Sequence, residues 1–148
     1  MNRKKMIKVI NSITRIPQVN SIGVIGDPGC EGLGAYNMKV YAGALEESGK
    51  DDITLIAGDL VPEGTKHYYE AIRETTEILS GNDVYCLRGN HDTGDYMEYF
   101  GEKNYALLTD HFAVVVLDNA LRSFEDEGLA LLSEVLAMDE VRQAIIAF

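Results

Sequence analysis

From residue 21 onward, short apolar runs alternate with longer amphipathic segments. The short runs are typical of β-strands, and the longer segments carry apolar residues at the spacing of an α-helix. An alternation of strand and helix predicts βαβ units that share a parallel sheet. The predicted strands are residues 21–26, 52–57 and 83–88, and the predicted helices are residues 34–48 and 65–80.

The helix predicted over residues 65–80 has the clearest apolar face, and the Ser-Gly pair at its end is typical of a helix terminus. We expect that face to be buried against the sheet. Its members are Tyr68, Ala71, Ile72, Thr75, Ile78 and Leu79.

The pattern changes after residue 90. Two apolar runs, residues 104–108 and 111–117, are separated by only two residues, which predicts a β-hairpin. Ser123 then begins a weak capping box before another predicted helix, and residues 141–148 resemble a final strand. The expected buried face of this last helix consists of Leu129, Leu132 and Leu136.

Composition and charge exclude several classes of function. The chain has 148 residues and a net charge of −11, which repels phosphate backbones and anionic membranes, so nucleic-acid binding is not expected. Its longest uninterrupted apolar run, residues 112–117, is far shorter than a membrane-spanning helix requires. The apolar stretch near the start is interrupted by Lys8, Asn11 and Arg15, and no small-residue cleavage site follows it, so the protein is expected to be cytoplasmic and to lack a membrane segment.

The two cysteines do not form a disulfide framework or a metal-binding cluster. Cys86 lies within an apolar run and is expected in the core, whereas Cys30 lies in a glycine-rich loop where it could be exposed. Of the three histidines, His67 is expected to open a helix and His111 to open a strand, without functional roles.

Three polar motifs each follow a predicted parallel strand. Asp27 follows the first strand, Asp59 lies 32 residues later after the second, and Asn90 lies a further 31 residues on, before His91 and Asp92. Carboxyl ends of parallel strands meet at one crevice, so these side chains should converge. Each motif alone is typical of a turn, but together they offer oxygen ligands suited to Mn²⁺, Mg²⁺, Fe²⁺ or Zn²⁺.

These motifs resemble those of the calcineurin-like metallophosphoesterases, whose pattern runs D-x-H, G-D, G-N-H-D/E, a lone His and a final G-H-x-H. Gly-Asn-His-Asp directly after a strand is the most specific match. The resemblance covers residues 21–148 and implies an α/β fold, an αββα sandwich. Residues 1–20 are then expected to form a basic N-terminal extension outside the phosphoesterase domain.

The resemblance also implies roles for five residues. Asp27 would ligate a first metal, Asp59 would bridge two metals and Asn90 would ligate the second. His91 would contact the phosphate and protonate the leaving oxygen, with Asp92 orienting its ring. The implied cofactors are divalent metal ions, Mn²⁺ being favoured over iron, Zn²⁺ and Mg²⁺, and the implied substrate is a small phosphate ester.

The chain departs from the family pattern at several points. Gly29 stands where the family has its first histidine, and Pro62 stands where many members have Asp. The lone His and the closing G-H-x-H have no counterpart, so we expect the sandwich to be incomplete at the C-terminus and the metal site to lack ligands or to stay empty.

Two functions remain open from these residues. One is a metal-dependent phosphoesterase that hydrolyses phosphomonoesters or phosphodiesters at a dinuclear site, part of which this chain lacks. The alternative is a non-catalytic binding or scaffold module on the same fold. Because the chain is expected to supply about one sheet of the sandwich and part of the second, exposed sheet surface should also favour a homo-oligomer.

Overall fold

A computed structural model of the protein describes residues 6–148. Seven strands and four helices occur within these residues. The strands are β1 (Ile13–Arg15), β2 (Ile22–Gly26), β3 (Ile53–Ala57), β4 (Asp83–Leu87), β5 (Tyr105–Leu108), β6 (Ala113–Val116) and β7 (Ala144–Ala147). The helices are α1 (Tyr36–Ser48), α2 (Lys66–Leu79), α3 (Tyr96–Phe100) and α4 (Asp126–Leu136).

The first sheet is the parallel sheet that the strand and helix alternation predicts. Its order is β2-β3-β4, with both pairs parallel and in register from Ile22 opposite Ile53 and from Ile53 opposite Asp83. The crossover helices α1 and α2 pack on one face, where they bury a core cluster with the strands. This arrangement brings the carboxyl ends of all three strands to one edge of the sheet.

The second sheet has the order β1-β5-β6-β7. Its centre is the predicted hairpin, since β5 and β6 pair antiparallel, and β7 then pairs parallel with β6. Side chains of both sheets share an apolar core that includes Leu55, Tyr85, Leu107 and Val114. Helix α4 covers the outer face of the second sheet. The layers are therefore helices, sheet, sheet and helix, which confirms the predicted αββα architecture.

Residues 6–20 pack against both sheets. Strand β1 pairs with β5, Met6 and Val9 are buried, and Met6 forms an isolated bridge with Val84 of β4. The segment expected as an N-terminal extension thus supplies a strand to the second sheet over the part that the structure describes. Residues 1–5, also assigned to that extension, lie outside the described residues.

The predicted apolar face of α2 is wrong at its C-terminal end. Ile78 and Leu79 are exposed, whereas Tyr69 and Thr76 are fully buried. Burial of these two hydroxyl groups is possible because both are satisfied: Tyr69 donates to the carbonyl of Thr93, and Thr76 donates to a carbonyl of its own helix. Hydrophobicity alone could not identify them as core residues.

The predicted face of α4 is wrong at two of its three positions, since only Leu132 packs against the core. Leu131 and Val135 are buried, while Leu129 and Leu136 are about half exposed. A Cβ at Gly128 would lie 2.7 Å from Oδ1 of Asn104, so the helix approaches the sheet along its glycine. With Gly128 against the sheet, the side chains of Leu129 and Leu136 lie toward solvent.

The start of α4 differs from the prediction as well. The helix begins after Glu125 rather than at Ser123, and no side chain caps its first turn. Glu125 instead binds Lys103, with Nζ and Oε1 2.6 Å apart.

Candidate functional site

A cavity of about 540 Å³ lies at the carboxyl ends of β2, β3 and β4. Part of the lining comes from the loops that follow these strands, and the rest comes from the loop between β6 and α4 together with Phe148. The strand-end loops contribute Asp27, Gly58, Asp59, Arg88, Gly89 and Asn90, and the other segments contribute Asn119, Ala120, Arg122, Ser123, Phe124 and Phe148. All three of the predicted metal-ligating residues line this one cavity.

Asp27 and Asp59 both have left-handed backbones, with φ of 48° and 41°. Aspartate tolerates this conformation better than most residues because its short side chain can hydrogen-bond locally. Asp27 directly follows β2, and Asp59 is the second residue after β3. At both places the chain leaves the sheet toward the next helix. The left-handed turns therefore place both carboxylates at the sheet edge.

Gly89 explains how the second and third loops come together. A Cβ at this position would collide with the backbone nitrogen and Oδ1 of Asp59. The backbone N–H of His91 then donates to that same Oδ1 at 2.9 Å. A glycine before Asn90 is thus a requirement for holding the Asp59 loop against the Asn90 loop.

His91 is exposed, and its ring is held by a backbone carbonyl. Nδ1 lies 2.9 Å from the carbonyl oxygen of Pro62. That carbonyl, followed by the nearby Asp59 carboxylate, raises the pKa of His91 above its ordinary value. The expected ring partner was Asp92, so this part of the prediction is corrected: the carboxylate of Asp92 is turned toward backbone amides instead.

Asp92 is fully buried beneath the loops. Its carboxylate accepts N–H groups from Leu60, Val61 and Gly89, at 3.2, 3.3 and 2.8 Å. Burial raises the pKa of Asp92 to about 6, although these N–H groups act in the opposite direction. A single carboxylate therefore ties the Asp59 loop to the Asn90 loop.

The loop after β2 is joined to the same assembly. The N–H of Gly29 donates to the carbonyl of Asp59 at 2.9 Å, and that of Cys30 donates to Leu60 at 2.8 Å. Cys30 is completely buried, which corrects the expectation that it could be exposed. Burial also raises its pKa to about 12, so the thiol is neutral at physiological pH.

Gly29 occupies the position of the family histidine. It has a φ of +49°, and a Cβ built there would meet no atom within 4 Å. Its carbonyl accepts a hydrogen bond from the side chain of Asn37 in α1. There is space for a side chain at this position, at the cost of a left-handed backbone.

A partly buried ion-pair network centred on Asp118 adjoins the cavity through Arg88, one of its lining residues. Nη1 of Arg88 lies 2.9 Å from Oδ2 of the buried Asp118, and Arg88 Nε donates to the carbonyl of Asp92 at 3.1 Å. Lys103 also approaches Asp118, at 3.7 Å. The sequence reasoning missed these residues because Asp118 pairs with Arg88, 30 residues away, and with Lys103, on a different segment. The one available signal was a charged residue at the end of an apolar strand.

The oxygen donors in the cavity suit a hard divalent cation. Asp27 and Asp59 offer carboxylates and Asn90 offers an amide carbonyl, the donor types that such cations prefer. Within residues 6–148, no three His, Cys, Asp or Glu side chains are grouped closely enough to hold a metal ion. His67 and His111 do not line this cavity.

Comparisons with known proteins agree with the motifs. A family model described as calcineurin-like phosphoesterase matches residues 21–140. A curated relative from Arcobacter nitrofigilis, described as "Probable glycerophosphodiester phosphodiesterase GpdQ", is 29% identical over 90 residues, which are 59% of this chain and 31% of the relative. The match thus spans about a third of that relative's length.

Among solved structures, one that matches is a cold-active protein-tyrosine phosphatase of a psychrophilic Shewanella species. It is 10% identical with a TM-score of 0.38, and the match covers 95% of this chain and 53% of that chain. No helix in the described part of the chain is long and apolar enough to cross a membrane. The family model covers most of the chain and includes all three strand-end motifs, and the chain therefore belongs to the calcineurin-like phosphoesterase family.

Proposed function

We propose that this chain contributes to metal-dependent hydrolysis of a small phosphate ester at the strand-end cavity. The observation that carries the proposal is the convergence of Asp27, Asp59 and Asn90 on one cavity, with His91 bound through its backbone to Asp59. The family membership supports the reaction class, because its members are described as phosphoesterases.

Asp27, Asp59 and Asn90 would hold the divalent cations of the proposed dinuclear site. Asp59 follows β3, the middle strand of the first sheet, so its loop lies between the loops that carry Asp27 and Asn90. Bound cations would supply positive charge against the phosphate and would make water more acidic. All three donors are oxygen atoms, which suit hard and borderline divalent cations, and we propose Mn²⁺ first, with iron, Zn²⁺ and Mg²⁺ as alternatives.

His91 is the proposed proton donor to the leaving oxygen. The Pro62 carbonyl engages Nδ1, which leaves Nε2 for the substrate. Asp92 is a positioning residue in this proposal, because it acts through the loops that carry Asp59 and Asn90 rather than through the ring.

The substrate would be a phosphomonoester or a phosphodiester, and not a nucleic acid, given the net charge of −11. The chain's free, buried cysteines suit a reducing compartment, and we place the protein in the cytoplasm.

A non-catalytic binding or scaffold module is the second candidate. The observation that favours it is Gly29, which offers no side-chain ligand where the family has histidine. On this reading the fold and the loop contacts persist, while the affinity for divalent cations is lost.

Hydrolysis of p-nitrophenyl phosphate and bis(p-nitrophenyl) phosphate distinguishes the two candidates. We expect turnover that requires Mn²⁺ and that is reduced at least about a hundredfold by Asp59→Asn. Asp139→Asn, an exposed site outside the cavity, is the matched control and should retain full turnover. Turnover that is equal in Asp59→Asn and the parent chain would contradict the catalytic proposal, and absence of both turnover and Mn²⁺ binding would favour the scaffold.

A further inference from the structure

Backbone strain in this chain is concentrated at the cavity. Within residues 6–148, four residues other than glycine have a positive φ: Gln18, Asp27, Asp59 and Arg122. Three of them line the strand-end cavity. Asp27 and Asp59 belong to the proposed cation site, but Arg122 has no role in it. Arginine has no local hydrogen bond that compensates a left-handed backbone, and strained residues tend to cluster at functional sites.

Arg122 is held in place by a rigid turn. Its N–H donates to the carbonyl of Asn119 at 2.7 Å, with φ at 62°. The turn is anchored by the buried Asp118, whose Oδ1 accepts the N–H of Ala120 at 3.0 Å and whose Oδ2 binds Arg88. The base of the turn is therefore fixed, while the side chain of Arg122 is exposed at the cavity.

The cavity contains two cationic side chains, and they differ in availability. Arg88 is committed to Asp118 and to the carbonyl of Asp92. The guanidinium of Arg122 has no hydrogen bond or ion pair with any residue in the described part of the chain. Arg122 lines the same cavity as Asp27 and Asp59, in a chain whose net charge is −11.

We propose that Arg122 is a specificity-determining residue that binds the phosphate group of the substrate in the strand-end cavity. A guanidinium can donate two parallel hydrogen bonds to phosphate oxygens. The gain is larger for a dianionic phosphomonoester than for a monoanionic phosphodiester, because attraction scales with charge. Arg122 would thus shift the preference of the site toward monoesters. This inference rests on the proposed function for its location.

Calorimetric titration with inorganic phosphate, and with dimethyl phosphate as the monoanionic probe, tests this assignment in the presence of excess Mg²⁺. Arg122→Gln should weaken phosphate binding about tenfold and dimethyl phosphate binding much less. Arg142→Gln removes the same charge from an exposed site outside the cavity and should change neither affinity.

Arg122→Gly separates binding from folding. Glycine relieves the left-handed backbone, so its melting temperature should not fall although phosphate binding weakens as in Arg122→Gln. Equal phosphate affinity in Arg122→Gln and the parent chain would overturn the inference, as would absence of phosphate binding by the parent chain.

Titration of Asp59→Asn with inorganic phosphate, both with and without Mg²⁺, distinguishes this inference from the proposed function. Phosphate binding that survives in Asp59→Asn without Mg²⁺, and that still depends on Arg122, would support the arginine site while counting against the cation site. Loss of binding in Asp59→Asn and in Arg122→Gln alike would support both.

Discussion

Asp92 connects the parts of the candidate site at the scale of single residues. Its carboxylate receives N–H groups from the loops after β3 and β4, and it is completely buried while doing so. A buried acceptor with three donors is costly to replace, because each backbone N–H that loses this acceptor is left in the interior with neither a protein partner nor water. The geometry of Asp59 and Asn90 therefore depends on a residue that does not itself line the cavity.

Asp92→Asn should lower the free energy of unfolding by about 1–3 kcal/mol. Asparagine replaces one acceptor oxygen by an NH₂ group, which is a donor and cannot accept the backbone N–H groups that the carboxylate binds. Urea unfolding of the metal-free protein measures this change. Asp95→Asn is the control, since Asp95 is exposed and makes no capping hydrogen bond, and it should shift the value by less than about 0.5 kcal/mol. Equal effects of the two variants on the free energy of unfolding would contradict the proposed role of Asp92 in holding the two loops together.

The two cysteines should resist thiol reagents in the folded protein. Both are buried, and burial raises the pKa of Cys30 to about 12 and that of Cys86 still higher, so thiolate is scarce below strongly alkaline pH. Reaction with an aromatic disulfide reagent at mildly alkaline pH should be slow until denaturant is added, when both thiols react. Rapid labelling of Cys30 without denaturant would show that its loop opens.

At the scale of elements, the crossover units were predictable and the orientation of the helices was not. Strands β2, β3 and β4 and both crossover helices lie within one or two residues of the predicted limits, because hydrophobic period and glycine positions are local properties. The buried faces of α2 and α4 depend on distant partners such as Asn104, which packs against Gly128. Strand β1 was missed because it has only three residues and pairs with β5, about 90 residues away.

The candidate site likewise contains residues that could be predicted from the sequence and residues that could not. Asp27, Asp59 and Asn90 could be placed together because strand order fixes where loops meet. The Pro62 carbonyl, the Asp118 ion pairs and the left-handed Arg122 could not be anticipated, since each depends on how loops pack after the sheets have formed.

Helix α4 gives a direct test of the corrected face. Leu131→Ala should cost about 2–4 kcal/mol in the free energy of unfolding, because Leu131 is buried against β5 and β6. Leu129→Ala makes the same chemical change two residues earlier, at a side chain that is 44% exposed, and should cost less than about 1 kcal/mol. Chemical denaturation of both variants shows which face of α4 is buried. A larger loss of stability in Leu129→Ala than in Leu131→Ala would contradict the buried face seen in the structure.

At the scale of the whole molecule, both sheets end in edge strands that lack a neighbour within residues 6–148. Strand β2 ends the first sheet and β7 ends the second. Val24 of β2 is 64% exposed beside a groove of about 690 Å³ that runs along α1, and Ile145 and Ile146 of β7 are about half exposed. Exposed apolar edge strands favour pairing with another chain.

The homo-oligomer thus remains a prediction, and we expect a second copy of this chain to occupy the β2 edge. Light scattering coupled to size-exclusion chromatography should give a mass of at least two chains. Val24→Lys should shift it to one chain, because a charged residue on an edge strand opposes pairing, whereas Lys39→Gln on the outer surface of α1 should not. A monomer at high concentration would contradict the prediction.

We propose that the three strand-end loops form one divalent-cation site, and paramagnetic broadening by Mn²⁺ is the most direct test of that site. Substoichiometric Mn²⁺ added to the ¹⁵N-labelled protein should selectively broaden the backbone amide signals of Asp27, Asp59 and Asn90 and of their immediate neighbours. Asp59→Asn should abolish that selectivity. Broadening spread over the acidic surface, or centred away from these loops, would contradict the account.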